Sequence, residues 1–205
     1  MSYSENALFN DNEIEHFRRQ GLSGSTVSEL LRQAESISGG RPAENASALT
    51  ETEEMILRDG GALGLDTPAH RAALTEIRLL VRALADELLL ERRSLSAAQV
   101  AAHLQVPSTE VTERSSHGRP QSLYSFCSRS NDLLYPKWQF IDMATIPHLA
   151  DLLSAISEGI HPVALDRFML TPSVDLEVDG RTLSPKEWLL SGADPEPVKR
   201  LAVDL

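Results

Sequence analysis

Hydrophobic positions along the chain follow a helical spacing at both ends and an alternating one in the middle. Val27, Leu30, Leu31 and Ala34 fall on one face of a helix that Ser25 or Thr26 would cap. A shorter helix over NEIEHFRRQ precedes it, and the Gly-Gly and Pro of SGGRPAENAS (38–47) mark a loop after it. A further helix fits ETEEMILRD, stopped by Gly60 and Gly61. Asp66-Thr67-Pro68 is a start signal, a capping residue and then proline in the first turn, for a helix running to about Arg93. Within it Leu74, Ile77, Val81, Leu84 and Leu88 form a heptad-like seam that Leu80 and Leu89 widen. The seam reads as a contact between two copies or as the inner face of a core helix. Two heptads are too few for an independent coiled coil.

The spacing changes after Glu91-Arg92-Arg93. LSAAQVAAHL predicts a short helix capped by Ser96, with Val100, Ala101 and Leu104 facing inward. Gln105-Val106-Pro107 is a turn, and STEVTERS a second helix capped by Ser108 and anchored by Val111. QSLYSF and LLYPKW alternate as two strands would, separated by CSRSND. From Ile146 the helical spacing returns in IPHLADLLSAI and VALDRFMLT, followed by an extended LEVDG turn. SPKEWLLSG and DPEPVKRLAVDL both open on a capping residue and proline. The expected fold is mainly α. It has a helical N-terminal region (1–93), a central helix-turn-helix with a small β-hairpin wing (94–140) and a C-terminal helical domain (141–205).

Composition changes this picture in two places. Lone Cys127 excludes an internal disulfide and fits a reducing cytosol, where it reads as a half-buried strand residue. No apolar run approaches the roughly 18 residues a membrane span needs. The opening MSYSENALFNDNEIEHF has neither the basic nor the apolar part of a secretory signal. A cytoplasmic protein with no membrane partner is expected. The net charge of −11 is unevenly spread. Residues 1–93 hold 10 Lys and Arg against 16 Asp and Glu; residues 141–205 hold 5 against 11. Residues 94–140 hold 4 against 3, so the acidity spares the middle.

A short helix with a free N-terminus suits the major groove, where its donors meet phosphates and base edges. Here Ser108, Thr109, Thr112 and Arg114 are the candidate DNA contacts on that helix, with Arg119, Arg129 and Lys137 beyond it. Glu110 and Glu113 share the helix, so one module is weakly cationic and a homodimer on an operator is expected. LSAAQVAAHLQVPSTEVTER, the hairpin after it and the closing YPKWQF resemble the MerR/excisionase type of helix-turn-helix, over about 45 residues.

The segment from Trp138 to Leu205 carries a second resemblance. WQF, IPHLADLLSAI, the proline-linked HPVALDRFML and the closing VDGRTLSPKEWLLSGADPEPVKRLAVDL resemble the toxin-binding domain of Xre/MbcA/ParS-type antitoxins. That resemblance implies a RES-domain toxin, an NAD-consuming enzyme, as the protein partner, and repression of the chain's own operon. On the residues themselves, Trp188 and Leu189 offer an apolar face, and Asp194 and Glu196 suit a basic cleft. Lys199 and Arg200 complete the candidate partner surface.

No phosphate loop, nucleophile motif, metal-ligand spacing or cofactor fingerprint appears, so no enzyme, metal or cofactor is expected. GGALG (60–64) lacks the preceding strand a dinucleotide fingerprint requires. The competing reading is an immunity or adaptor protein that binds only a protein partner. The basic residues at 114, 119, 129 and 137 favour DNA; Glu110 and Glu113 favour the adaptor.

Overall fold

The computed structural model describes residues 9, 11–37, 68–115, 122–157 and 159–205. Mainly helical, it carries small antiparallel sheets and divides into two compact units, residues 1–87 and 88–205. The helix expected at ETEEMILRD lies outside the described residues.

In the first unit the chain folds as α1 (Asp11–Arg19), α2 (Gly24–Ile37) and the greater part of α3 (Pro68–Arg92). The cap of α2 is Ser23, not Ser25 or Thr26: its hydroxyl accepts the Thr26 N–H at 3.3 Å. Ile14, Phe17, Val27, Leu30, Leu31 and Ala34 are buried, as are Ile77, Val81 and Ala85 of α3. Phe9 meets Phe17 edge to face at 5.3 Å. Val81 is 0% and Ile77 6% exposed, so the middle of the leucine seam is interior to this unit and closed to a second copy. Leu84 and Leu88 are half-buried, and the Leu74 side chain lies outside the described residues. The Glu13 carboxylate receives both Arg78 and Arg82, tying α1 to α3. Both arginines are substantially exposed, which screens the attraction. Glu13→Gln is expected to cost about 1 kcal/mol, read by urea unfolding at low and high salt.

The second unit begins inside α3 and contains everything else. Strand β1 (Ser94–Ser96) leads into α4 (Ala97–Leu104), and the turn 105–107 into α5 (Ser108–Ser115). Ser96 caps α4 in a full capping box with Gln99, as its position predicts. The second helix starts at Ser108 itself, which is therefore its first residue and not its cap. Strands β2 (Phe126–Cys127) and β3 (Leu133–Pro136) pair antiparallel, and β1 joins on the other side, giving the order β1-β3-β2. Both strands are shorter than the alternation suggests. The chain leaves β3 at Pro136, which has no N–H for a ladder, into a 3₁₀ turn over Lys137–Gln139. Cys127 is exposed, not half-buried.

Next come the hairpin β4 (Phe140–Ile141) and β5 (Ala144–Thr145), then helices α6 (Leu149–Ala155) and α7 (Pro162–Leu170). A second hairpin follows, β6 (Ser173–Val178) with β7 (Arg181–Leu183), then α8 (Pro185–Leu190) and α9 (Glu196–Val203). Asp179 (φ 52°) and Gly180 (φ 77°) turn this hairpin with two left-handed residues, the conformation an Asp-Gly pair adopts most readily. Val100, Val111, Tyr135 and Trp138 share one apolar core with Leu152, Leu165, Leu176, Leu189 and Val198. The boundary expected at 140/141 is therefore absent, because both sides bury the same core. The boundary expected at 93/94 falls inside α3, between Glu87 and Leu88.

Candidate nucleic-acid and partner interfaces

The α4–α5 pair is held from four directions. Ala101, small enough for a close approach, is buried where the helices meet, with Val100 and Val111 at 0% exposure beneath. Gln105 turns the chain in a left-handed conformation (φ 57°), and the Val106 N–H returns to the Ala101 carbonyl at 3.0 Å. At the far end of α5 the Ser115 hydroxyl meets the Tyr135 hydroxyl at 3.0 Å, both groups buried. The Arg114 carbonyl accepts the N–H groups of Ser122 and Leu123, bringing the chain back to the core.

Gln139 fixes the sheet side. Fully buried, its side chain accepts the Tyr124 N–H at 2.9 Å and donates to the Tyr124 carbonyl at 2.9 Å and the Pro136 carbonyl at 3.2 Å. Tyr124 stacks on Trp138 with ring centres 6.4 Å apart. Burial pushes the Tyr124 hydroxyl up to about 12. No pattern in the sequence singled out Gln139, since a polar residue between aromatics has no period.

This scaffold leaves one face of α5 in water. Ser108, Thr109 and Thr112 are exposed, the Thr112 hydroxyl donating to the Ser108 carbonyl at 3.1 Å. Arg114 is half-buried and ion-paired one turn back to Glu110. The i,i+4 spacing of that pair was legible in the sequence. Arg129 and Lys137 are exposed on the β2–β3 hairpin and just after it, and the Arg129 N–H donates to the Glu91 carboxylate at 2.8 Å. Arg119 lies outside the described residues. Serine and threonine donors are therefore presented on α5 and cations beside the hairpin, while the cation of α5 is already neutralised.

The C-terminal candidates divide more sharply. Leu189 is 1% exposed and belongs to the core, not to a surface. Trp188 is half-buried, its indole N–H donating to the Asp194 carbonyl at 2.7 Å, which pins the loop between α8 and α9. The Asp194 carboxylate accepts the Glu196 N–H at 3.1 Å, but the cap of α9 is Pro195 and not Asp194, which lies one residue before it. Glu196 pairs with Lys199, whose ammonium is held above its ordinary range chiefly by that hydrogen bond. Ser184 and Glu187 form a capping box on α8, and the Ser184 bonds hold the Glu187 carboxyl below its usual range. Glu196, Arg200 and Asp194 are the exposed members of the set. Val198 and Ala202 of α9 are 0% exposed, so this last helix is structural as well as available.

No family model, no curated protein and no solved structure matches this chain.

Among the described residues no group of three or more His, Cys, Asp or Glu is placed to hold a metal ion. No described helix is long and apolar enough to cross a membrane.

Proposed function

We propose that the chain is an antitoxin-like transcriptional regulator that binds DNA, its own operon in particular, and neutralises a RES-type toxin through its C-terminal segment. The α4–turn–α5 pair serves as a helix-turn-helix and the β2–β3 hairpin as its wing. The observation that carries the reading is the exposed face of α5. Ser108, Thr109 and Thr112 stand uncovered on a helix whose opposite face is anchored by buried Val111. Lys137 and Arg129 are exposed at the hairpin, where phosphates flank an inserted helix. Few exposed cations per copy call for a homodimer on a two-fold site. The half-buried Leu84 and Leu88, not the buried Ile77 and Val81, remain for that contact.

One observation favours the competing adaptor reading: Glu110 already occupies Arg114. It yields a test of its own. Glu110→Gln releases Arg114, so a DNA-binding protein is expected to bind several-fold tighter, with its salt slope steeper by about 0.9. Filter binding between low and moderate salt reads both quantities, and an adaptor shows neither change.

The toxin-binding half of the proposal is tested on the surface of α9. Removing everything after Gly192 would strip Val198 and Ala202 from the core and unfold the unit, so truncation is uninformative. Glu196→Lys combined with Arg200→Glu reverses two exposed charges and leaves the core intact. Co-expressed with the product of the adjacent gene, the double variant is expected to lose protection while keeping the melting temperature and DNA affinity of the parent. Full protection by the variant, or an adjacent product that is not a toxin, contradicts the assignment.

A further inference from the structure

Burial divides the surface of α5. Val111 and Ser115 are buried and Glu110 and Arg114 half-buried, whereas Ser108, Thr109, Thr112 and Glu113 are exposed. At roughly 3.6 residues per turn, Glu113 stands about 200° round the helix from both Val111 and Ser115. It is therefore the crest of the exposed face, and a surface that receives α5 meets Glu113 first. The two carboxylates of the helix are not equivalent. Glu110 is paired with Arg114, whereas Glu113 makes no hydrogen bond or ion pair among the described residues. Beside it the Thr112 hydroxyl already donates to the Ser108 carbonyl at 3.1 Å, and Thr109 stands one turn back.

A carboxylate at the crest of a groove-inserted helix is repelled by the flanking phosphates. That repulsion is the same for every sequence unless a base edge answers the charge. Only an amino hydrogen can do so. In the major groove guanine offers two acceptors, and thymine an acceptor and a methyl group; adenine sets its amino group beside the N7 acceptor. Cytosine alone presents a donor with no acceptor of its own. An ionised carboxylate has no proton to give, so it accepts from cytosine N4 and is opposed by the lone pairs of the other three bases.

We propose that Glu113 is the specificity-determining residue of α5, and that each DNA half-site carries a cytosine beneath it. The inference rests on α5 being the DNA-facing helix proposed above and adds what that helix selects. Lys137 and Arg129 supply an attraction that any sequence receives. Glu113 turns it into a choice by rejecting three bases.

The full chain is titrated against duplexes of the DNA upstream of its own gene, each base pair replaced in turn by the other three. The parent is expected to prefer cytosine at one position of each half-site by about ten-fold or more. Glu113→Gln should move the preference at that position alone to adenine, whose N6 and N7 an amide matches. Glu113→Ala should erase the preference there and bind the disfavoured duplexes tighter than the parent does. Both changes fall on an exposed side chain, and melting temperatures equal to the parent's check that the fold is intact. The inference is overturned if both variants tighten binding to every duplex by the same factor, which would make Glu113 a source of plain repulsion. A preferred base other than cytosine overturns it too. A parent that binds every duplex alike, with affinity falling steeply with salt, overturns it while leaving α5 a DNA-binding helix. A parent that binds none removes both readings.

Discussion

Gln139→Leu is expected to destabilise the 88–205 unit by about 3 kcal/mol, lowering its melting temperature by roughly 10 °C. The glutamine is fully buried, and its amide pairs with Tyr124 as a neighbouring strand would, while also holding the Pro136 carbonyl. Leucine fills similar volume but leaves the Tyr124 N–H and carbonyl without those partners, each at a desolvation cost of about 1–3 kcal/mol. The lesion lies between the hairpin and the 3₁₀ turn that sets Trp138 into the core. Loosening there should propagate to α5 through the Ser115–Tyr135 contact. Urea unfolding followed by tryptophan fluorescence reads the loss; a cost under about 1 kcal/mol would show that water replaces the amide without penalty.

The other large effect lies where α3 ends. The Arg93 guanidinium meets the Asp166 carboxylate of α7 at 2.9 Å; Asp166 is 3% exposed, whereas the Arg93 side chain is 53% exposed. Burial raises the Asp166 carboxyl above its ordinary value, partly offset by Arg93 and then Arg167. A carboxyl raised in the folded state binds more protons there than in the unfolded chain. Its charge therefore costs stability once the pH rises above the raised value, and the cost fades as pH falls toward the ordinary one. Arg93→Ala removes an offsetting charge. We expect a loss of about 2 kcal/mol at neutral pH, below the 3–5 typical of breaking a fully buried pair because Arg93 is half in water. The loss should shrink on acidification through the Asp166 titration. Asp166→Asn, which removes the charge instead of its partner, should cost less. Unfolding both variants at neutral and mildly acidic pH checks the order. An alanine penalty independent of pH, or a larger one for asparagine, would show that the pair acts by packing alone.

Local signals in the sequence located most helices because they depend on residues within a turn of each other. Ser96 with Gln99 and Ser184 with Glu187 cap as their spacing predicts, and Pro68 opens α3. Distant pairing was less legible. Strand β1 is three residues with no alternation of its own, present because Ser94–Ser96 finds Leu134–Pro136 across the sheet. The β6–β7 hairpin was visible only as its Asp-Gly turn, since the acidic β6 has one inward residue. The boundary drawn at 140 followed a change of period, but a change of period marks a change of element, not of core. Trp138 and Phe140 pack with residues on both sides of it. Among candidate site residues, exposure separated those the residue types could not. Leu189, Ile77 and Val81 went to the interior, whereas Thr109, Thr112, Lys137 and Arg200 stayed in water.

If α5 meets DNA, a gel shift with the DNA immediately upstream of the chain's own gene shows it. Thr109→Glu and Lys137→Ala should be measured beside the parent at two salt concentrations. A specific complex is expected that competitor DNA of unrelated sequence does not remove. Lys137→Ala should weaken it and flatten the salt slope by about 0.9, and Thr109→Glu should abolish it through like-charge repulsion in the groove. A parent protein that shifts no DNA at low salt, or variants that bind as the parent does, would mean that α5 does not read DNA and leave a protein-binding module.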